Sequence, residues 1–138
     1  MTTASNLSET MFGVSTARAL TTPALIQAMI DSGDGISDLV MSPGRPPQVE
    51  RHGDLMPVVI AEMPVLRPED TAAIACDLIN GNAHVLTTLK EQGACDLSFS
   101  LPDRCRFRVN IFKQRNTFAI VMRMIASRGE FAWIVVSE

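Results

Sequence analysis

Tyrosine is absent from the 138-residue chain and Trp133 is its single tryptophan, which removes the aromatic platform on which single-stranded bases stack. Positive charge is in deficit: 12 Lys and Arg stand against 15 Asp and Glu, a formal net charge of −3. A dedicated nucleic-acid binder would show a basic excess instead, so no nucleic-acid partner is expected. Cysteine is sparse. Cys76, Cys95 and Cys105 form no CxxC pair, and with only His52 and His84 beside them no recognised zinc spacing can be written. Buried free thiols in a reducing cytoplasm are expected, and no metal site. No run approaches the roughly 20 apolar residues of a membrane helix. The first 22 residues, rich in Ser and Thr and carrying Glu9 and Arg18, lack the apolar stretch of a signal peptide. GxxxxGK(S/T) occurs nowhere, so there is no P-loop to cradle phosphates. Neither is there a legible nucleophile–base pair or carboxylate pair, and Asp38, Asp54, Asp96 and Glu91 read as turn, cap and strand-end residues.

What remains is ordinary globular material, 46% apolar and 20% charged, enough for one domain with a core. Residues 1–22 read as a flexible extension, 23–126 as the domain and 127–138 as an atypical tail. Thr22-Pro23 opens a helix as N-cap and first helical residue, Leu25, Ile26, Met29 and Ile30 recur at helical spacing, and Gly33 closes it. "ISDLVM" (36–41) is a short strand, "SPGRPP" (42–47) a turn, and "QVERHGDLMPV" (48–58) a hairpin about His52-Gly53-Asp54. Pro68, with Glu69 and Asp70 in the first turn, starts a second helix that runs to Asn80-Gly81. Asn82 caps a third, ended by Gly93. Strands at 95–100, 105–112 and 118–125 complete an α+β domain, one antiparallel sheet with helices on one face.

The segment "RCRFRVNIFKQR" (104–115) places Arg104, Arg106 and Arg108 at every second position, on one side of a strand. If the following hairpin is centred between Arg115 and Asn116, Phe107 faces Met124, Val109 faces Met122 and Ile111 faces Ile120, apolar against apolar throughout. The same register sets Arg108 opposite Arg123, and like charges so placed repel by about 0.2–1 kcal/mol. Two explanations stay open. Acidic neighbours or water neutralise the pair, or an external anion sits between two guanidinium forks, which suit phosphate oxygens.

"SDLVMSPGRPPQVERHGDL" (37–55), "CDLSFSLPDRCRFRVNIFKQR" (95–115) and "VMRMI" (121–125) resemble, in order, the N-terminal domain of the PilT-type twitching-motility ATPases, of the type II/type IV secretion ATPase family. The likeness covers residues 24 to 126. It implies a PAS-like domain that packs, in a homohexamer, against the ATPase domain of a neighbouring subunit. It also implies that Arg108 and Arg123 contact the nucleotide phosphates in trans, with Arg106 structural. ATP and Mg²⁺ are implied for the full-length family and no cofactor for this chain alone. Type IV pilus or secretion machinery at the inner membrane is the implied setting, with a cytoplasmic location. A stand-alone PAS-like interaction or ligand-sensing module is the alternative. Two departures stand out: Val40 replaces the His of the family's "SDLHL", and the P-loop and the ATPase domain's acidic and histidine boxes are missing. "ASRGEFAWIVVSE" (126–138) resembles neither the family's linker nor its ATPase domain. Its apolar residues Phe131, Trp133, Ile134, Val135 and Val136 are expected to seek cover at a sheet edge.

Overall fold

A computed structural model describes residues 20–125. The tail at 127–138, and all of the N-terminal extension before residue 20, lie outside the described residues.

Helix α1 (Thr22–Ile30) begins one residue earlier than its sequence signal suggests, because Thr21 and not Thr22 is the cap: its hydroxyl accepts from the Ala24 N–H at 3.3 Å. Thr22 is thereby freed for another task, donating its hydroxyl to Asp77 Oδ2 at 2.6 Å. After the turn at 31–35 come β1 (Ile36–Met41), β2 (Gln48–Arg51) and β3 (Asp54–Pro57). The β2–β3 hairpin turns on His52 and Gly53, at φ 50° and 87°, the left-handed pair that a two-residue hairpin demands.

Helix α2 (Pro68–Ile79) is started by more than a dipole effect. The Asp70 carboxylate reaches back to accept from the Arg67 backbone N–H at 2.8 Å and from its guanidinium at 3.0 Å, satisfying donors that the first turn leaves open. Helix α3 (Ala83–Gln92) is capped by Asn82, whose side chain accepts from the Val85 N–H at 3.1 Å, and stops at Gly93. Strands β4 (Ala94–Leu101), β5 (Cys105–Gln114) and β6 (Thr117–Ile125) follow.

All six strands join in one antiparallel sheet of order β3-β2-β1-β6-β5-β4. The α+β expectation therefore holds. The β5–β6 register is the one inferred from apolar matching: Phe107 faces Met124, Val109 faces Met122, Ile111 faces Ile120 and Arg108 faces Arg123. Strand alternation then sorts the side chains. Leu39, Phe107, Val109, Ile111, Ile120 and Met122 turn inward and are buried, meeting Leu25, Ile26 and Met29 of α1, Ile74 and Leu78 of α2 and Leu89 of α3 in one core. Helix α1 lies against β1, α2 against β6 and α3 against β4. The helices so occupy one face, and the arginine face is left open.

Candidate anion site on the open face of the sheet

Strand pairing lays one row of residues straight across the open face. Glu50 of β2 faces Asp38 of β1, Asp38 faces Arg123 of β6, Arg123 faces Arg108 of β5, and Arg108 faces Ser98 of β4. Reading across, two acids are followed by two bases. The register is fixed by burial on the other side: a one-residue slip of β6 would drive Arg123 into the core among Leu39 and Val109.

The two arginines are not equivalent. Arg123 Nη2 lies 3.5 Å from Asp38 Oδ2, and the side chains are 74% and 10% exposed respectively. The acidic neighbour invoked by the solvated reading thus exists, but it serves only one of the pair. Among the described residues Arg108 is exposed and forms no ion pair or side-chain hydrogen bond. Both arginines line a depression of about 390 Å³, together with Asp96, Val109, Asn110 and Val121. The Asn110 amide donates to Asp96 Oδ1 at 3.0 Å and to the Cys95 carbonyl at 3.3 Å, so both its hydrogens are committed to the β4 side. Donors for an incoming anion come from Arg108 and Arg123, whose planar forks match oxygens of a phosphoryl group. Val40 lies on the same face, between Gln48 and Val121.

Two expectations need correction. Arg104 does not share the strand face: it stands in the turn before β5, after Asp103 at φ 61°, and pairs with Asp31 at 2.8 Å. That contact, through its hydrogen bond first and its charge second, holds the guanidinium pKa above its ordinary value. Asp38 is no turn or strand-end residue but a buried member of β1. Asp96 likewise sits within β4, opposite Asn110. Arg106 is exposed, one step along the face between Ser100 and Ile125, and among the described residues its side chain makes no hydrogen bond or ion pair. No group of three His, Cys, Asp or Glu that could hold a metal ion occurs among the described residues.

No protein-family model matches the chain. It is 33% identical over 94 residues to the type IV pilus retraction ATPase PilT of Pseudomonas aeruginosa, covering 68% of this chain and 26% of that protein. To the type IV pilus ATPase PilU of the same organism it is 33% identical over 101 residues, covering 73% and 25%. The chain therefore spans about a quarter of the length of the curated relatives it matches. Among solved structures, the pilus retraction motor PilT with bound ADP superposes with a TM-score of 0.65 at 31% identity, over 78% of this chain and 29% of that one. The Legionella pneumophila ATPase DotB shares the fold, with a TM-score of 0.60 at 22% identity over 78% and 30% of the two chains. With its α+β fold matching the N-terminal domain of PilT, the chain is homologous to the N-terminal region of the PilT/PilU type IV pilus ATPases.

Proposed function

We propose that the chain acts as the N-terminal, PAS-like domain of a type IV pilus motor. In this reading its open sheet face packs against the ATPase domain of a neighbouring subunit in a homohexamer, and Arg108 and Arg123 contact the phosphates of the nucleotide held there. The observation that carries the reading is the opposed, exposed arginine pair, a repulsive arrangement that an anion relieves. Exposure of the arginine pair also favours this reading over a ligand-sensing module, which would be expected to enclose its ligand in an apolar cavity.

The side chains fit part of what such a nucleotide needs. Two guanidinium forks can take phosphate oxygens and offset charge that builds up on a transferred phosphoryl group. The 138 residues contain no P-loop lysine; in this reading the cradle and the Mg²⁺ are held by the ATPase domain of the neighbouring subunit, and no bond-breaking step is assigned to these residues. No helix of the described residues is long and apolar enough to cross a membrane. We place the domain in the cytoplasm, against the inner membrane only through the pilus machinery.

The test is substitution at the matching positions of a full-length relative. Arg108→Ala or Arg123→Ala should lower steady-state ATP turnover by at least about tenfold, since arginines supplied in trans contribute more than that elsewhere. The melting temperature should stay within about 2 °C, because neither side chain belongs to the core. Arg106→Ala is the control and should affect turnover less. Loss of folding with normal turnover in the folded remainder would make Arg108 a structural group and sink the proposal.

A further inference from the structure

The acid half of the charged row has no role in the phosphate reading, yet it is the better buried half. Asp38 is 7% exposed, and among the described residues the one hydrogen bond its carboxylate makes is to Arg123, at 3.5 Å. Its other strand partner is Glu50, a like charge. A carboxylate so placed gains from the guanidinium, and the guanidinium is in turn drawn toward β1, away from Arg108 on β5. Arg108 has no such restraint among the described residues. One arginine of the pair is thus free and the other already has a counter-ion.

From this asymmetry we propose that Asp38 is an internal counter-ion of the anion site: it competes with incoming phosphate for Arg123 and so sets the threshold of negative charge that a ligand must carry. The inference rests on the phosphate-contact reading of the arginine pair. A singly charged anion is met by Arg108 and gains little by displacing Asp38. A polyphosphate offers two or more charged oxygens, one for Arg108 and another that outcompetes the long contact to Asp38. Asp38 is therefore a positioning residue that acts through Arg123, and its removal tightens the site rather than weakening it.

The experiment titrates sodium pyrophosphate, and separately sodium chloride at matched ionic strength, into the full 138-residue chain, following the Arg108 and Arg123 Nε–Hε resonances. Asp38→Asn preserves side-chain shape and removes the charge. It should tighten pyrophosphate binding about two- to fivefold, the range expected for a partly exposed pair, and narrow the preference for pyrophosphate over chloride. Asp38→Glu should restore wild-type affinity. In an Arg123→Ala background Asp38→Asn should have no effect, which a merely structural role would not produce. Pyrophosphate shifts at both arginines in wild type, unaltered or weakened by Asp38→Asn, would overturn the counter-ion role and leave the phosphate reading standing. No shift at either arginine in either chain would overturn both. If Asp38→Asn does not fold, the wild-type titration decides: the Asp38 carboxylate carbon should shift in step with Arg123, and a silent carboxylate rejects the proposal.

Discussion

At the scale of single residues, the turn between α1 and β1 shows how two glycines with similar crowding differ in cost. Gly35 has a φ of 73°, and a Cβ there would lie 2.4 Å from the His52 ring. Gly33 has no positive φ, but its Cβ would lie 2.6 Å from the Arg51 guanidinium, whose Nε donates to the Asp34 carbonyl at 2.9 Å. Both obstacles are ends of side chains that can swing aside; the left-handed backbone at Gly35 cannot be relieved in that way. Gly35→Ala should cost about 1–2 kcal/mol and Gly33→Ala less than about 1 kcal/mol, read by urea denaturation, and equal costs would refute the backbone argument. The cysteines give a second residue-scale expectation. Burial first, then the Asp96 carboxylate, pushes the Cys95 thiol up against the opposing pull of an Ile111 backbone contact. Burial likewise raises Cys105, with Arg104 opposing it. A raised pKa leaves less thiolate, the reactive species, at neutral pH. Native chain should react with iodoacetamide much more slowly than unfolded chain. The folded form holds its thiol protons longer, so this contribution to stability is intact below the ordinary thiol pKa and lost as pH rises through the folded value. Melting temperature should accordingly fall on the alkaline side, and replacing Cys95 by Ala should flatten that fall.

Among the elements, α1 is a short helix with little side-chain capping beyond Thr21, and it is tied to α2 by the Thr22–Asp77 hydrogen bond at 2.6 Å, across 55 residues of sequence. Thr22 is 1% exposed. Thr22→Val keeps the shape and removes the donor to a carboxylate, an exchange worth about 1.5–3 kcal/mol. A loss of that size in equilibrium unfolding is expected, and a loss below about 0.5 kcal/mol would show that the contact does not hold the two helices together. This tie also marks the limit of what local signals disclose. The Thr-Pro start, Pro68, Asn82 and Gly93 place the helices within a residue or so because caps and stops are local chemistry. The β5–β6 register is legible for a related reason: a two-residue turn joins strands whose apolar residues can match in only one way. Strand β1 pairs with β6 across the length of the domain, and Asp38 meets Arg123 at a separation of 85 residues. No short-range pattern says which strand covers the far edge of β6, so the acid beside the arginine pair could not be read from the chain, whereas the pair itself could. Arg104 failed for the opposite reason. Its alternation with Arg106 is perfect, but Pro102-Asp103 ends the strand before it.

Over the whole molecule, the sheet is two-faced: helices and core on one side, a charged row on the other. Separation of this kind lets a domain fold on the strength of one face and present the other to a partner. In the proposed reading, binding an anion is uncoupled from cleaving it. Two arginines can offset charge on a phosphoryl group, but they neither cradle the neighbouring phosphates nor activate a water. The sequence contains no GxxxxGK(S/T), and no metal-holding cluster of three acidic, His or Cys residues occurs among the described residues. The purified 138-residue chain should therefore release phosphate from ATP no faster than buffer, measured with a coupled phosphate assay after size exclusion. The control is the Arg108→Ala, Arg123→Ala double variant, purified identically. A contaminating ATPase gives the same trace in both preparations, whereas turnover that vanishes with the arginines and persists through further purification would assign hydrolysis to this face. The second outcome would overturn the proposed function, because the open face would then hold a complete reaction site on its own.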